Sequence, residues 1–192
     1  MDILSFLAER FDLPILEWIA ANLRCPFMDT IMPIITLLGD AGIFWIAIAA
    51  LCLFFPKYRK MGLSMGISLL IGLLVCNVLL KPLVGRIRPY DYQLEHFGKQ
   101  IQLLVAAQHD FSFPSGHTIA SFEAATAIML HNKKLGIVAM ILAVMISFSR
   151  LYLYVHYPTD VIFSIILGTA FAFLGNYLAH KVFEKFPRKK SA

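Results

Sequence analysis

The chain has 192 residues, 59% hydrophobic and only 15% charged, with 16 phenylalanines against 12 acidic residues. Soluble chains run at roughly 45–50% apolar and about 25% charged. The composition therefore excludes a disordered chain, a nucleic-acid-binding arm, a disulfide-stapled secreted module and an ordinary cytosolic globule, whose one small core could not hide this much apolar surface. The net charge of +5 is modest and gains meaning only from its placement.

Met1-Asp2-Ile3 offers neither a basic n-region nor a small-residue cleavage site, so no removable signal peptide is expected. Residues 11–24 mix Leu13, Ile15, Leu16, Trp18 and Ile19 with Asp12, Glu17 and Arg24, a pattern suited to a helix lying in the membrane interface. The apolar stretch 31–38 is interrupted by Pro33 and ends at Gly39-Asp40. Residues 1–40 are thus expected to form an N-terminal interfacial segment of one or two helices. Next come the uncharged runs 41–56 and 61–80, then 118–130 with only Glu123, then the uncharged runs 135–149 and 161–179. A bilayer core needs about 20 helical residues, so these five runs, some extended into their flanks, predict five transmembrane helices, six if the N-terminal apolar stretch also crosses. The fold class is an all-α integral membrane bundle, with one domain over 41–181 and a basic cytoplasmic tail over 182–192. Gly62 and Gly66 form a G-x-x-x-G that would permit close helix packing. Cys25, Cys52 and Cys76 lack metal-ligand spacing and read as small packing residues.

Lys57, Arg59, Lys60, Lys133, Lys134, Lys181, Lys185, Arg188, Lys189 and Lys190 all fall on one side of a five-span topology, ten of the 17 basic residues. The positive-inside rule puts that side in the cytoplasm, C-terminus included. The other side holds Lys81, Arg86, Arg88 and Arg150 at or just beyond the outer ends of spans. One such cation would be interfacial snorkelling. Four beside two histidines and an aspartate are a functional cluster, since charge near bilayer depth is costly.

Three short motifs organise that cluster. Pro114-Ser115-Gly116-His117 opens an apolar helix, with Ser115 a natural N-cap and Gly116 letting an anion approach the free N–H groups of the first turn. Ser149-Arg150 ends a span. His156 follows, then Pro158, which favours a helix start, then Asp160 in the first turn. Asp160 is within reach to accept the His156 Nδ1–H and leave Nε2 free as a nucleophile.

Lys81 with Arg88-Pro89, then 114–117, then Ser149-Arg150 with His156 and Asp160, resemble the three-part signature of the type 2 phosphatidic acid phosphatase (PAP2) superfamily at every fixed position. The resemblance implies a metal-independent lipid phosphatase with no cofactor. His156 would form a phospho-histidine oriented by Asp160. His117 would protonate the leaving oxygen and then activate water. Lys81, Arg88, Arg150, Ser115 and Gly116 would bind the phosphoryl group, with Arg86 an electrostatic helper outside the signature. The substrate is expected to be a lipid phosphate in the bilayer, undecaprenyl diphosphate first and phosphatidylglycerophosphate or phosphatidic acid next. The setting is a bacterial cytoplasmic membrane with the active site on its extracytoplasmic face. Nucleic acid is no partner, and oligomeric state is not readable. The same signature binds vanadate in soluble haloperoxidases, which lack spans. A lipid-binding or flipping protein would use the cations without needing both histidines and Asp160. His96, His109, Glu95, Asn77, Glu123, His131 and His180 are given no catalytic role.

Overall fold

The computed structural model describes residues 3–185, and every regular element within them is helical. The basic tail falls outside the described residues from position 186 onward. The chain opens with α1 (Ile3–Leu7), a π-helical turn (Ala8–Asp12) and α2 (Leu13–Asn22). Pro14 has no N–H to return to the preceding turn, and the wider π spacing falls just before it. The same pairing recurs where α5 (Arg59–Gly72) widens into a π segment (Leu73–Leu80) ahead of α6 (Lys81–Val84), which carries Pro82. α2 buries Leu13, Leu16 and Ile19, packs on α9 (Lys133–Tyr152), and leaves Trp18 exposed. Asp12, read from sequence as part of an interfacial polar face, is fully buried.

α3 (Pro26–Leu37) and α4 (Ile43–Phe54) meet at a 41° bend. The turn between them, Asp40–Gly42, places Ala41 and Gly42 at φ 48° and 65°. Just before it, a side chain on Gly39 would stand 2.5 Å from His117 Cδ2 and 2.8 Å from Ile146 Cγ2, so the turn needs glycine to press against the site. α6 ends at Gly85 in the left-handed region, its N–H capping Lys81 O. An extended link then leads to α7 (Pro89–Phe97), and the loop beyond Gly98 reaches α8 (Gly116–His131).

Three described helices are long and apolar enough to cross a membrane: the one that begins with α5, then α9, then α10 (Pro158–Lys185). A fourth crossing results if α3 and α4 count as one broken span. α4 has 12 residues and α8 has 16, about 18 and 24 Å at 1.5 Å per residue, against a hydrocarbon core of about 30 Å. Both segments have the apolar character expected of spans, and α8 is in addition the most enclosed of the helices around it. That helix sits among α5, α9 and α10 with ten of its residues buried. The outward faces of α4, α9 and α10 carry Ile43, Leu51, Val138, Ile141, Ile166 and Phe173 exposed, as a lipid-facing surface requires.

Small residues set the helix spacing. A Cβ on Gly62 would meet Ala49 O at 2.6 Å, and one on Gly168 would meet Ile119 O at 2.8 Å. Only Gly62 of the G-x-x-x-G pair makes a close helix contact. Gly66 has open space beside it and lines a cavity.

Candidate active site

Helix ends deliver the chemical groups. Lys81 begins α6, Arg88 precedes α7, Gly116 and His117 open α8, and Arg150 lies in the last turn of α9. His156 sits in the buried 153–157 turn, just before α10 starts at Pro158, and Asp160 lies in that helix's first turn. The turn reverses tightly because Val155 N bonds Arg150 O at 3.1 Å and Tyr154 adopts φ 62°.

One cavity of about 600 Å³ is lined by Lys81, Arg88, Gly116, His117, Arg150 and His156. The same cavity is also lined by Ile46, Leu69, Leu70, Leu73 and Glu123. Polar groups at one end and apolar side chains at the other suit an amphiphile.

At the polar end, Arg88 Nη1 donates to Val155 O at 2.7 Å and stands 3.3 Å from His156 Nε2. A guanidinium only donates, so this contact assigns the lone pair to Nε2 and the ring proton to Nδ1. Nδ1 stands 3.5 Å from Asp160 Oδ2 and makes no hydrogen bond. The expected His156–Asp160 pairing is therefore an approach rather than a bond. The reason is competition: Asp160 already accepts from Arg86 Nη1 at 2.6 Å, Ser112 Oγ at 2.5 Å and Tyr157 N at 3.0 Å. His156 is 1% exposed. Burial first, then the charges of Arg88, Arg150 and Lys81, hold its imidazole well below the usual histidine range, so it is neutral at pH 7.

His117 Nε2 lies 2.8 Å from Asp40 Oδ1. Arg150 donates from Nη1 to Thr36 Oγ1 at 2.6 Å and leaves Nε unpartnered. Lys81 and Arg88 both grip the half-exposed Asp110, the latter at 2.5 Å. Burial would raise that carboxyl, but the Lys81 hydrogen bond and the Arg88 charge hold it down to about 2.

Ser115 and Arg86 lie apart from the cavity lining. Ser115 stands at the N-cap of α8, yet its hydroxyl makes no capping bond and accepts instead from Thr118 Oγ1 at 3.1 Å. Its backbone N–H bonds Ser164 Oγ at 2.9 Å, and it does not line the cavity. Arg86 likewise faces away from the cavity, buried against Asp160. Asp12, Thr36, Asp40 and Asp110 were not singled out from sequence. Asp12 offered the one faint signal, an acid inside an otherwise apolar helical face.

Two histidines and three cations line one cleft in an all-helical bundle whose outward faces are apolar, which places the chain among integral membrane proteins. The chain belongs to the PAP2 superfamily, whose family pattern it matches over residues 57–184. It is 37% identical over 131 residues to the undecaprenyl-diphosphatase of Sulfolobus acidocaldarius, covering 68% of this chain and 61% of that protein, under two thirds of the relative's length. It is 32% identical over 184 residues to the phosphatidylglycerophosphatase B of Bacillus subtilis, covering 88% of this chain and 84% of the relative. The crystal structure of a transmembrane PAP2-type phosphatidylglycerolphosphate phosphatase from Bacillus subtilis superposes with a TM-score of 0.66 at 26% identity, covering all of this chain and 90% of that one.

Proposed function

We propose that this phosphatase hydrolyses a lipid diphosphate or phosphate monoester, undecaprenyl diphosphate first, through a phospho-histidine on His156. The observation that carries the reading is the position of His156 Nε2, which bears a lone pair, faces the cavity and lies among Arg88, Lys81 and Arg150. In the first step Nε2 attacks phosphorus, the bond to the leaving oxygen breaks, and His117 gives that oxygen a proton. Asp40 supports the protonated imidazole. In the second step His117 takes a proton from water, water attacks phosphorus, and phosphate leaves His156 free. Lys81, Arg88 and Arg150 balance the charge on the equatorial oxygens, and Gly116 keeps the backbone N–H open. Asp160 faces the imidazole that becomes positive. The apolar wall below the cations supports a lipid rather than a soluble ester.

The curated names of the Sulfolobus and Bacillus relatives support the diphosphate and the phosphatidylglycerophosphate readings in turn. The wider arrangement follows the charge pattern: residues 41–181 as the catalytic domain, α4, α5, α8, α9 and α10 crossing a bacterial cytoplasmic membrane, the active site outside and the C-terminus inside. A phosphate-release panel on purified protein tests the reading, comparing undecaprenyl diphosphate, phosphatidylglycerophosphate and phosphatidic acid. Undecaprenyl diphosphate should give the highest kcat/KM. His156→Ala should abolish every activity. With p-nitrophenyl phosphate, whose leaving group needs no proton, His117→Ala should release a burst approaching one p-nitrophenolate per site and then stall. A burst from His156→Ala would reverse the two roles.

A further inference from the structure

Behind His156, away from the cavity, lies a buried charge cluster that begins at the opposite end of the chain. Asp12 is fully buried and accepts three hydrogen bonds: from Arg86 Nη2 at 2.7 Å, Thr159 N at 2.8 Å and Thr159 Oγ1 at 2.7 Å. Arg86 is 5% exposed and lies 3.7 Å over the Tyr157 ring. Its other terminal nitrogen reaches Asp160 Oδ1 at 2.6 Å and Thr159 Oγ1 at 2.8 Å. Asp160 Oδ2 in turn faces His156 Nδ1. The order is Asp12, Arg86, Asp160, His156. None of the first three lines the cavity, and Asp12 lies outside the 57–184 family match.

We propose that Asp12 is a positioning residue for the reaction, acting on His156 through Arg86 and Asp160. The inference rests on the phospho-histidine reading. When Nε2 bonds to phosphorus, the imidazole becomes cationic and its Nδ1–H points at Asp160. Asp160 opposes that charge only if its own is not already cancelled. Asp12, Arg86 and Asp160 together carry one net negative charge. Without Asp12, Arg86 and Asp160 sum to zero, and in a buried setting that difference acts across short distances with little screening. Asp12 also accepts the free Thr159 N–H in the first turn of α10, the capping arrangement that fixes the helix end carrying Asp160. Substrate phosphate meets His156 from the other side, among Lys81, Arg88 and Arg150. The effect of Asp12 therefore falls on the bond-making step and leaves binding alone.

Asp12→Asn keeps an oxygen for Thr159 N and removes the charge. Its kcat should fall on the order of 10- to 100-fold, with KM within about twofold of the wild-type value. Asp12→Asn/Arg86→Gln restores one net negative charge and leaves an amide to donate to Asp160. It should recover at least about fivefold of the lost kcat. A purely structural network predicts the reverse, with the second substitution lowering activity further. Asp12→Glu, which keeps the charge, should stay within about fivefold of wild type. Should Asp12→Asn fail to purify as folded protein, Asp12→Glu decides: a kcat loss beyond 10-fold overturns the proposal. Unchanged kcat in Asp12→Asn, or a double variant slower than the single one, overturns it as well. His156→Ala is assayed alongside. Turnover surviving there refutes the phospho-histidine reading itself, whereas an inactive His156→Ala beside a fully active Asp12→Asn refutes only the role of Asp12.

Discussion

Asp110 lines the cavity beside the proposed phosphate site. Its carboxylate grips both Lys81 and Arg88, and on their proposed roles toward the phosphoryl oxygens a bound phosphate has to displace it. Asp110→Asn should weaken that grip and lower KM several-fold with little change in kcat, as initial-rate kinetics on one lipid would show. Because the folded carboxyl is held down to about 2, below its ordinary value of 3.8, Asp110 stays anionic throughout the working range. The stabilisation it lends is complete above about pH 4 and is lost as pH falls toward 2. The ratio of wild-type to Asp110→Asn KM should therefore stay constant from pH 8 to pH 5, and a ratio that closes across that window would mean a carboxyl pushed up into it rather than held down. The signature cations and both histidines were legible in the sequence because their spacing is fixed by the helix ends that carry them. Asp40, Asp110 and Asp12 were not, since each meets its partner across 22 to 77 positions with no constraint on the interval. A carboxylate can reach a buried cation from any neighbouring segment.

Apolar runs announced where helices lie, but not which faces they hide. Hydropathy treats α8 and α9 alike, although one is buried on most sides and the other turns Ile137, Val138, Ile141 and Val144 outward. Thr36 on α3, before the boundary drawn after residue 40, accepts a hydrogen bond from Arg150 on α9, a contact no hydropathy profile shows. The tight approach at Gly39 explains the bend and gives a test. Gly39→Ala would drive a methyl into the His117 ring and Ile146. Overpacking of this kind costs about 1–3 kcal/mol, and here it bears on the His117–Asp40 contact. Activity should drop at least about 10-fold, while detergent-solubilised protein still unfolds cooperatively within several degrees of wild type. Normal activity in Gly39→Ala would show that the His117 position tolerates displacement.

The arrangement of charge along the chain predicts an orientation that labelling can check. In a cysteine-free background, single cysteines at Lys99 and Lys133 are both exposed and are expected on opposite sides of the membrane. Replacing Lys99 breaks only its surface ion pair with Glu17, which contributes little. An impermeant thiol reagent added to intact cells should label position 99 and spare 133. Equal labelling, or the opposite pattern, would overturn the extracytoplasmic placement of the site. The all-helical membrane class was legible from the length and spacing of the apolar runs. The number of crossings was not, because a buried helix and a lipid-facing one satisfy the same apolar count.

The Asp12–Thr159 contact spans 147 positions, and this has a consequence for biosynthesis. At about 5–20 residues per second, roughly 7–30 s separate the emergence of Asp12 from the ribosome and that of its partner. Throughout that interval Asp12 lacks its partner on α10. His156, the proposed nucleophile, also arrives late, so on that reading the nascent chain stays catalytically silent until its final helix docks.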